Sequence, residues 1–136
     1  MNTKTIQKDF DNWNSEKKRL ENVGHDSLVV HEREIWWCSI GINLGDEQDG
    51  KNELFERPVL VLRKFNNKIV WVLPMSTQQK DGIYYHSLEH DGKTFSVLLS
   101  QLRLLSVKRF RRFLRKISPH QFILIQEKVA GLLKSP

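Results

Sequence analysis

The sequence predicts a mainly β fold, either a small barrel or a sandwich, with a helix on each side of the strands. Short apolar stretches separated by turn residues fill the region from 29 to 107, and helical apolar spacings precede and follow it. The 136 residues suffice for one domain with an appended element. Many short strands with close turns are typical of small barrels and sandwiches.

The first predicted element is an amphipathic helix over residues 5–22, with Gly24 as its stop. Its apolar positions share one face: Ile6, Phe10, Trp13, Leu20 and Val23. This stripe must pack on the domain or on a partner. We therefore divide the chain into an N-terminal extension, residues 1–24, and a domain, residues 29–136.

The strands follow the extension. Apolar, β-branched and aromatic stretches predict them at residues 34–40, 58–63, 68–73, 84–88 and 94–99. Asn66-Asn67 marks a tight turn, and His90-Asp91-Gly92 joins the last pair.

The C-terminal part is predicted to end in a helix. Residues 106–109 favour one helical turn, whereas residues 113–117 fit either a strand or a continuation of that turn. Ser118 is a predicted N-cap, Pro119 suits the first helical position, and Gln121 completes a capping box. The apolar face of this helix contains Phe122, Ile125, Val129, Leu132 and Leu133.

Composition excludes several classes of protein. With 28% charged and 39% apolar residues the chain is unlike a disordered protein, and no apolar run reaches the roughly 18 residues of a membrane span. The N-terminal segment has no signal-peptide pattern, and the single Cys38 cannot form an internal disulfide. A soluble, cytoplasmic protein without membrane association is expected.

Positive charge is concentrated towards the C-terminus. The chain carries +6, but residues 104–136 contain eight basic residues and one acidic residue, which leaves −1 for the first 103 residues. This asymmetry favours an anionic partner, either nucleic-acid phosphates or an acidic protein segment. A solvated basic face is the alternative.

Common cofactor and metal motifs are absent. There is no G-x-G-x-x-G, P-loop, C-x-x-C or H-E-x-x-H motif. His86 and His90 are four apart in a region of strand and turn, where this spacing does not converge on a metal ion. Cys38 lies in an apolar strand beside two tryptophans, which favours packing over nucleophilic chemistry. We expect neither a cofactor nor a metal.

Three polar segments are expected at one end of the barrel. They are the loop Gly45-Asp-Glu-Gln-Asp-Gly50, the pair Arg57-Pro58 at the start of the second strand, and Pro74-Met-Ser-Thr-Gln78 at the end of the third. A carboxylate, a guanidinium, hydroxyls and amides can therefore share a groove. The alternative is a surface ion pair between Glu47 and Arg57, with residues 76–78 forming an ordinary turn.

The order of these segments along the chain is informative. Glu34-Ile-Trp-Trp, the 45–50 loop, Arg57-Pro-Val-Leu-Val-Leu, Val72-Leu-Pro-Met-Ser-Thr-Gln and Leu98-Leu-Ser-Gln-Leu-Arg103 follow one another along the chain. The series resembles the signature of the MazF/PemK (Kid) family of toxins from type II toxin–antitoxin systems. The resemblance covers residues 33–133 and leaves the N-terminal helix outside.

The resemblance implies an SH3-like small β-barrel with a C-terminal helix, here extended by the N-terminal helix. It also implies a homodimer, metal-independent cleavage of single-stranded RNA, and an acidic antitoxin protein as partner. By position, Arg57 matches the arginine that binds the scissile phosphate, and Ser76 matches the threonine or serine beside it. Glu47 matches the glutamate of the E-Q loop and, as the only carboxylate at a matched position, is our candidate general base.

The remaining polar residues of these segments are predicted to contact RNA. Gln48, Gln78 and Gln101 suit base edges, and Thr77 suits a phosphate oxygen. Arg103 and Lys80 suit flanking phosphates, although solvated charges are the alternative. Trp36, Trp37 and Trp71 are expected in the core.

The sequence also departs from the family. Six residues, 51–56, separate the 45–50 loop from Arg57, so a longer loop over the groove is expected. The acidic residue and arginine that some members carry in the 98–103 segment are replaced by Ser100 and Leu98. Two other functions stay open: a protein-binding toxin of the same fold, like the CcdB gyrase poisons, and a catalytically inactive nucleic-acid-binding module.

Overall fold

A computed structural model of the chain describes residues 7–23 and 28–134. Its elements, in chain order, are α1 Phe10–Asn22, β1 Glu34–Ser39, β2 Glu56–Lys64, β3 Ile69–Ser76, β4 Tyr85–His90, β5 Lys93–Leu98, β6 Arg103–Ser106, β7 Phe110–Lys116 and α2 Pro119–Leu132. Single 3-10 turns lie at Leu99–Gln101 and Val107–Arg109. The predicted mainly β fold with flanking helices is confirmed.

The strands form one curled antiparallel sheet in the order β4-β5-β3-β2-β1-β7. β3 pairs with β2 along one edge, whereas β5 and β6 share its other edge. β2 is buried on both faces, with Leu60 and Leu62 turned towards α2 and Val59 and Val61 turned towards the opposite core. This alternation is the period of two that a strand between two apolar layers requires.

The five predicted strands are confirmed, with ends that differ by a few residues. In the turn between β4 and β5, Asp91 and Gly92 have φ of 50° and 75°, the positive values that a two-residue hairpin loop favours. Residues 113–116 belong to strand β7, which pairs with β1, and Ile117 follows the strand, so the open choice is decided in favour of a strand. β6 was not predicted from its four residues.

Helix α1 begins at Phe10 rather than at residue 5. The Asp9 side chain accepts a hydrogen bond from the Asn12 backbone N–H at 3.1 Å and so acts as the N-cap. Trp13 and Leu20 of the predicted stripe are buried, whereas Phe10 is exposed. Ile6 and Gly24, which belong to the prediction, lie outside the described residues.

The buried side of α1 packs on the barrel. The Trp13 ring lies 5.6 Å from that of Phe55, and both belong to a small apolar cluster with Leu20 and the partly buried Ile42. The Arg109 guanidinium also lies over the Trp13 ring, 5.6 Å from its centroid. The buried part of the apolar stripe, Trp13 and Leu20, is therefore covered by this chain's own domain.

Helix α2 begins as predicted, since the Ser118 hydroxyl accepts a hydrogen bond from the Gln121 backbone N–H at 3.2 Å. A capping box also needs the Gln121 side chain to accept a hydrogen bond from the Ser118 backbone N–H. This part of the prediction is wrong, because the Gln121 side chain is bonded to His86 instead. Leu133 is also not on the buried face. It follows the last turn as the C-cap and is 81% exposed.

The three tryptophans differ in burial. Trp36 is in the core, in edge-on contact with Phe110 and Phe113. Trp37 is half-buried beneath the Arg112 guanidinium. The core prediction is wrong for Trp71, which is 41% exposed because it alternates with the buried neighbours on either side of it in β3.

His86 of β4 is buried between the sheet and α2. Its Nε2 lies 2.7 Å from Gln121 Oε1, and its Nδ1 lies 2.9 Å from Lys128 Nζ. Because the lysine ammonium can only donate, Nδ1 must accept and Nε2 carries the proton, which is the neutral imidazole. Burial lowers the pKa of His86; the bond to Gln121 opposes this shift and the Lys128 charge adds to it.

This environment makes stability depend on pH. With its folded-state pKa below the unfolded value, His86 contributes stability that is present above the unfolded pKa of about 6.5 and is lost as the pH falls through the folded pKa. The free energy of unfolding, measured by urea titration from pH 8 down to pH 5, should fall less steeply for His86→Gln than for the wild type. Parallel curves for the two proteins would contradict the assignment.

Candidate functional site

The loop that follows β1 is closed and braced by hydrogen bonds within the chain. The Gly50 N–H donates to the Gly41 carbonyl at 2.7 Å and closes the loop at its base. Within it, the Asp49 carboxylate accepts from the Asn43 N–H at 2.6 Å, and the Asn43 side-chain amide donates to the Gln48 carbonyl at 2.8 Å. These bonds satisfy the backbone of a segment that has no strand partner.

Arg57, at the start of β2, is 6% exposed. Its Nε donates to the Asp49 carbonyl oxygen at 2.6 Å and its Nη1 donates to the Met75 carbonyl oxygen at 3.1 Å. With the Gln48 amide turned so that its oxygen faces the guanidinium, that oxygen lies 3.1 Å from Nε and 2.8 Å from Nη2. The guanidinium is thus held from both sides of β2.

The charge of Arg57 is buried without a carboxylate bonded to it. Burial lowers its pKa, and the negative charge of Asp49 opposes the shift. An arginine keeps its proton under these conditions because its ordinary pKa lies far above neutral pH. The three contacts occupy three of its five N–H groups, and two have no partner among the described residues.

The surface ion pair between Glu47 and Arg57 is not formed. Glu47 is exposed, and its carboxylate accepts a hydrogen bond from the Leu44 N–H at 3.0 Å. Arg57 lies beneath the loop that carries Glu47. Glu47 therefore lies at the surface of the site, whereas Arg57 is buried below it.

Beside the loop lies a depression of about 420 Å³. Its walls are Asn43, Asp46, Glu47, Gln48, Ser100, Gln101, Leu102 and Arg103. The Gln101 Oε1 accepts from the Gln48 N–H at 2.7 Å and so ties the 3-10 turn after β5 to the loop. Four residues predicted from the sequence, Glu47, Gln48, Gln101 and Arg103, are brought together here.

Arg103 provides the positive charge of this depression. It is half-buried, burial lowers its pKa, and the Glu47 carboxylate opposes that shift. An anionic group that enters would meet a desolvated guanidinium and an exposed carboxylate within one wall. That combination suits the binding of a phosphate and the transfer of a proton.

The other predicted residues form a second group at the end of β3. Ser76 is buried, and its hydroxyl accepts from the Gln78 N–H at 3.1 Å. The Ser96 hydroxyl donates to the Gln78 carbonyl and accepts from the Lys80 N–H. Thr77 and Gln78 are exposed. These residues do not line the 420 Å³ depression.

The backbone joins the two groups. The β2–β3 register pairs Val59 with Pro74, and its extension places Arg57 opposite Ser76. The carbonyl that accepts from Arg57 belongs to Met75, the residue before Ser76. Arg57 is therefore the link between the loop side and the β3 side of the site.

Sequence reasoning missed part of the site. Asn43, Asp46, Ser100 and Leu102 line the depression, and Asp49 supports Arg57. Asp49 lies within the glycine-bounded loop 45–50, so the sequence indicates that it is near the site. The sequence does not indicate that its carbonyl supports Arg57. Residues 100–103 form walls of the depression because a 3-10 turn places them there. The spacing of apolar residues in the sequence does not indicate this turn.

The expectation of a longer loop over the groove is wrong. Lys51 and Glu56 exchange two backbone hydrogen bonds of 2.7 Å, so the inserted residues close into a turn. Phe55 of this turn packs on Trp13 of α1, and none of residues 51–56 lines the depression. The insertion extends the contact with the N-terminal helix instead.

Among the described residues, no group of three His, Cys, Asp or Glu side chains could hold a metal ion. No helix in the described part of the chain is long and apolar enough to cross a membrane. Cys38 is fully buried and burial raises the pKa of its thiol, so the predicted packing role is confirmed.

Comparison with known proteins identifies the family. The family model described as PemK-like, MazF-like toxin of type II toxin–antitoxin system matches residues 31–133. This chain belongs to that family. The resemblance stated from the sequence is therefore confirmed, and α1 precedes the matched segment of this MazF-like toxin. A search of curated proteins found no match.

Solved structures share the fold of this MazF-like toxin. MazF (Form-I) from Deinococcus radiodurans is 22% identical with a TM-score of 0.67, over 79% of this chain and 98% of that one. The MazE-MazF complex (Form-II) from the same organism is 19% identical with a TM-score of 0.63, over 81% and 100%. A mycobacterial endoribonuclease in complex with its cognate antitoxin is 14% identical with a TM-score of 0.61, over 79% and 98%.

Proposed function

We propose that this toxin is a metal-independent endoribonuclease that cuts single-stranded messenger RNA at short sequences and so inhibits translation and growth. The observation that carries the proposal is the buried Arg57 guanidinium, held by carbonyl and amide oxygens with two N–H groups left over. A fixed, permanently charged fork of this kind suits a phosphate that gains charge during reaction. Membership of the toxin family supports the same function.

The nucleophile is the 2′-hydroxyl of the RNA itself. It loses its proton and attacks the adjacent phosphorus, the bond to the 5′-oxygen breaks, and that oxygen takes up a proton. The products are a 2′,3′-cyclic phosphate and a 5′-hydroxyl. Arg57 stabilises the extra negative charge on the phosphorane. Glu47, the exposed carboxylate of the depression, is the candidate base that removes the proton.

Ser76 is proposed to assist Arg57. Its hydroxyl oxygen already accepts from the Gln78 N–H, so its own O–H is directed elsewhere and can donate to a phosphate oxygen. The extended β2–β3 register, which sets Ser76 opposite Arg57, supports this pairing. Thr77, exposed at the next position, can add a second neutral donor.

The proposed RNA contacts divide into two kinds. Arg103 and Lys80 provide positive charge for flanking phosphates, and Gln78 presents an exposed amide to a base. Gln48 and Gln101 are also engaged in holding the loop, through the bond from the Gln48 N–H to Gln101 and the contact of Gln48 with Arg57. Replacement of these two glutamines should therefore disturb the site as well as the recognition of bases.

We also propose two protein partners and a location in the cytoplasm. The first is a second copy of this chain: Ile83 and Leu133 are 73% and 81% exposed around an apolar depression of about 640 Å³. Ser100 and Leu102 line both this depression and the polar one, so a homodimer contact would adjoin the RNA groove. The second is an antitoxin with an acidic segment, which would meet the same guanidinium groups as RNA.

Metal ions should be unnecessary, because the proposed reaction uses only the 2′-hydroxyl and protein side chains. The purified protein should cut a long unstructured RNA equally well with and without EDTA, and should leave 2′,3′-cyclic phosphate ends. An oligonucleotide with deoxyribose at the cut position should resist cleavage. Loss of activity in EDTA, or cleavage of an all-DNA strand, would falsify the mechanism.

Arg57→Lys tests the central residue. Lysine keeps the positive charge but loses the planar fork, and removal of one donor aimed at transition-state charge typically costs about 2.7–4 kcal/mol, roughly a hundredfold to a thousandfold in rate. The variant should fold, dimerise and bind RNA within a small factor of the wild type. Its single-turnover cleavage rate should fall by that amount.

Arg63→Lys is the matched control for Arg57→Lys. Arg63 lies on the same strand but is exposed and faces Trp71 across the β2–β3 pair. Its replacement should leave the cleavage rate within about twofold. If both variants cleave RNA at the wild-type rate, Arg57 is not a catalytic residue. If the wild type binds RNA without cleaving it, the protein is an inactive binding module.

An acidic peptide should compete with RNA. A peptide rich in Asp and Glu should displace a fluorescent RNA from the protein, and both affinities should fall as the salt concentration rises. Simultaneous binding of peptide and RNA, detected as no loss of RNA anisotropy, would move the antitoxin site away from Arg57 and Arg103.

A further inference from the structure

The N-terminal extension reaches the loop that covers Arg57. The Lys8 ammonium, just before α1, donates to the carbonyl oxygens of Asn43 and Gly45 at 2.5 and 2.9 Å. It also lies 3.2 Å from the Asp49 carboxylate. One ammonium group thus contacts both the ascending and the descending side of the loop.

Asp49 connects this contact with the guanidinium. One of its carboxylate oxygens faces Lys8, the other accepts from the Asn43 N–H at 2.6 Å, and its backbone carbonyl accepts from Arg57 Nε at 2.6 Å. Any displacement of Asp49 therefore moves an acceptor of the Arg57 side chain. Lys8 is two contacts away from the proposed catalytic group.

The same extension also fixes the base of the loop. At Gly41, whose φ is +84°, a Cβ atom would lie 2.1 Å from the Trp13 ring. At Gly50, a Cβ would lie 1.7 Å from the Phe55 carbonyl oxygen, and the Phe55 ring packs on Trp13. The two glycines that close the loop are therefore in close contact with α1 and with the turn that packs on it.

We propose that the N-terminal extension is a positioning element of the RNA-cutting site, and that Lys8 is its positioning residue. This inference rests on the proposed function. Lys8 does not line the depression, so it acts by holding the loop, and with it the Asp49 carbonyl that orients Arg57. A glycine-bounded loop has many accessible conformations, and small errors in the position of a catalytic group lower rates severely. Without Lys8 the loop still closes but samples other arrangements.

Two measurements on the full-length protein test this role. The first is hydrogen–deuterium exchange of the 43–50 segment, whose amides at Asn43, Leu44, Glu47, Gln48 and Gly50 are all hydrogen-bonded. The second is steady-state cleavage of a single-stranded RNA. Lys8→Met removes the charge and keeps the apolar stem, and Lys8→Arg restores a cationic donor. Lys17→Met, an exposed lysine in α1, is the matched control.

Lys8→Met should raise exchange in the 43–50 segment by about tenfold. It should lower kcat by roughly tenfold with KM changed by less than about twofold. Its thermal midpoint should shift by only a few degrees, because an ion pair with 26% and 27% of its side chains exposed is still solvated and adds little to global stability. Lys8→Arg should recover most of both losses, and Lys17→Met should match the wild type.

Unchanged exchange in Lys8→Met would overturn the proposal, as would lost protection with an unchanged kcat. A decrease in kcat that Lys17→Met reproduces would also overturn it, since a general loss of positive charge would then explain the effect. If the wild type itself does not cut RNA, the proposed function fails. The exchange data still decide, independently of that failure, whether Lys8 holds the loop.

Discussion

The burial of one guanidinium sets the requirements that the rest of the site satisfies. Arg57 is surrounded at the start of β2, and a buried cation needs hydrogen-bond acceptors for most of its N–H groups. Those acceptors come from the 45–50 loop on one side and from the end of β3 on the other. The loop must therefore fold back over β2, and β3 must reach the same level as Arg57. Both conditions follow from the antiparallel register of the sheet.

The choice of acceptors has a chemical consequence. A carboxylate bonded to both Nη groups of Arg57 would neutralise the guanidinium and occupy its terminal donors. Here the acceptors are neutral carbonyl and amide oxygens, while the nearby Asp49 carboxylate is bonded to Asn43 and paired with Lys8. The guanidinium is thus oriented without being neutralised. The low dielectric of its surroundings strengthens its attraction for an incoming anion.

Sequence reasoning predicted the elements with regular periods and missed those without. β2 and β3 are rich in valine and leucine, and the N-cap of α2 has a specific side-chain pattern, so both were found. The start of α1 depended on whether Asp9 would cap it, which the apolar spacing could not decide. β6 is four residues long and is a strand only because β3 offers it an edge. The ion pair between Lys8 and Asp49 joins side chains 41 positions apart, and no local pattern encodes it.

The pairing of β1 with β7 bears on how the toxin reaches its active form. Cys38 pairs with Phe110, 72 residues further along the chain, whereas it pairs with Arg57 after only 19. Long-range pairings carry the larger loop-closure entropy and form late in folding. During synthesis, β1 keeps an open edge until β7 has left the ribosome. A growing chain therefore cannot complete its sheet before both of these strands are available.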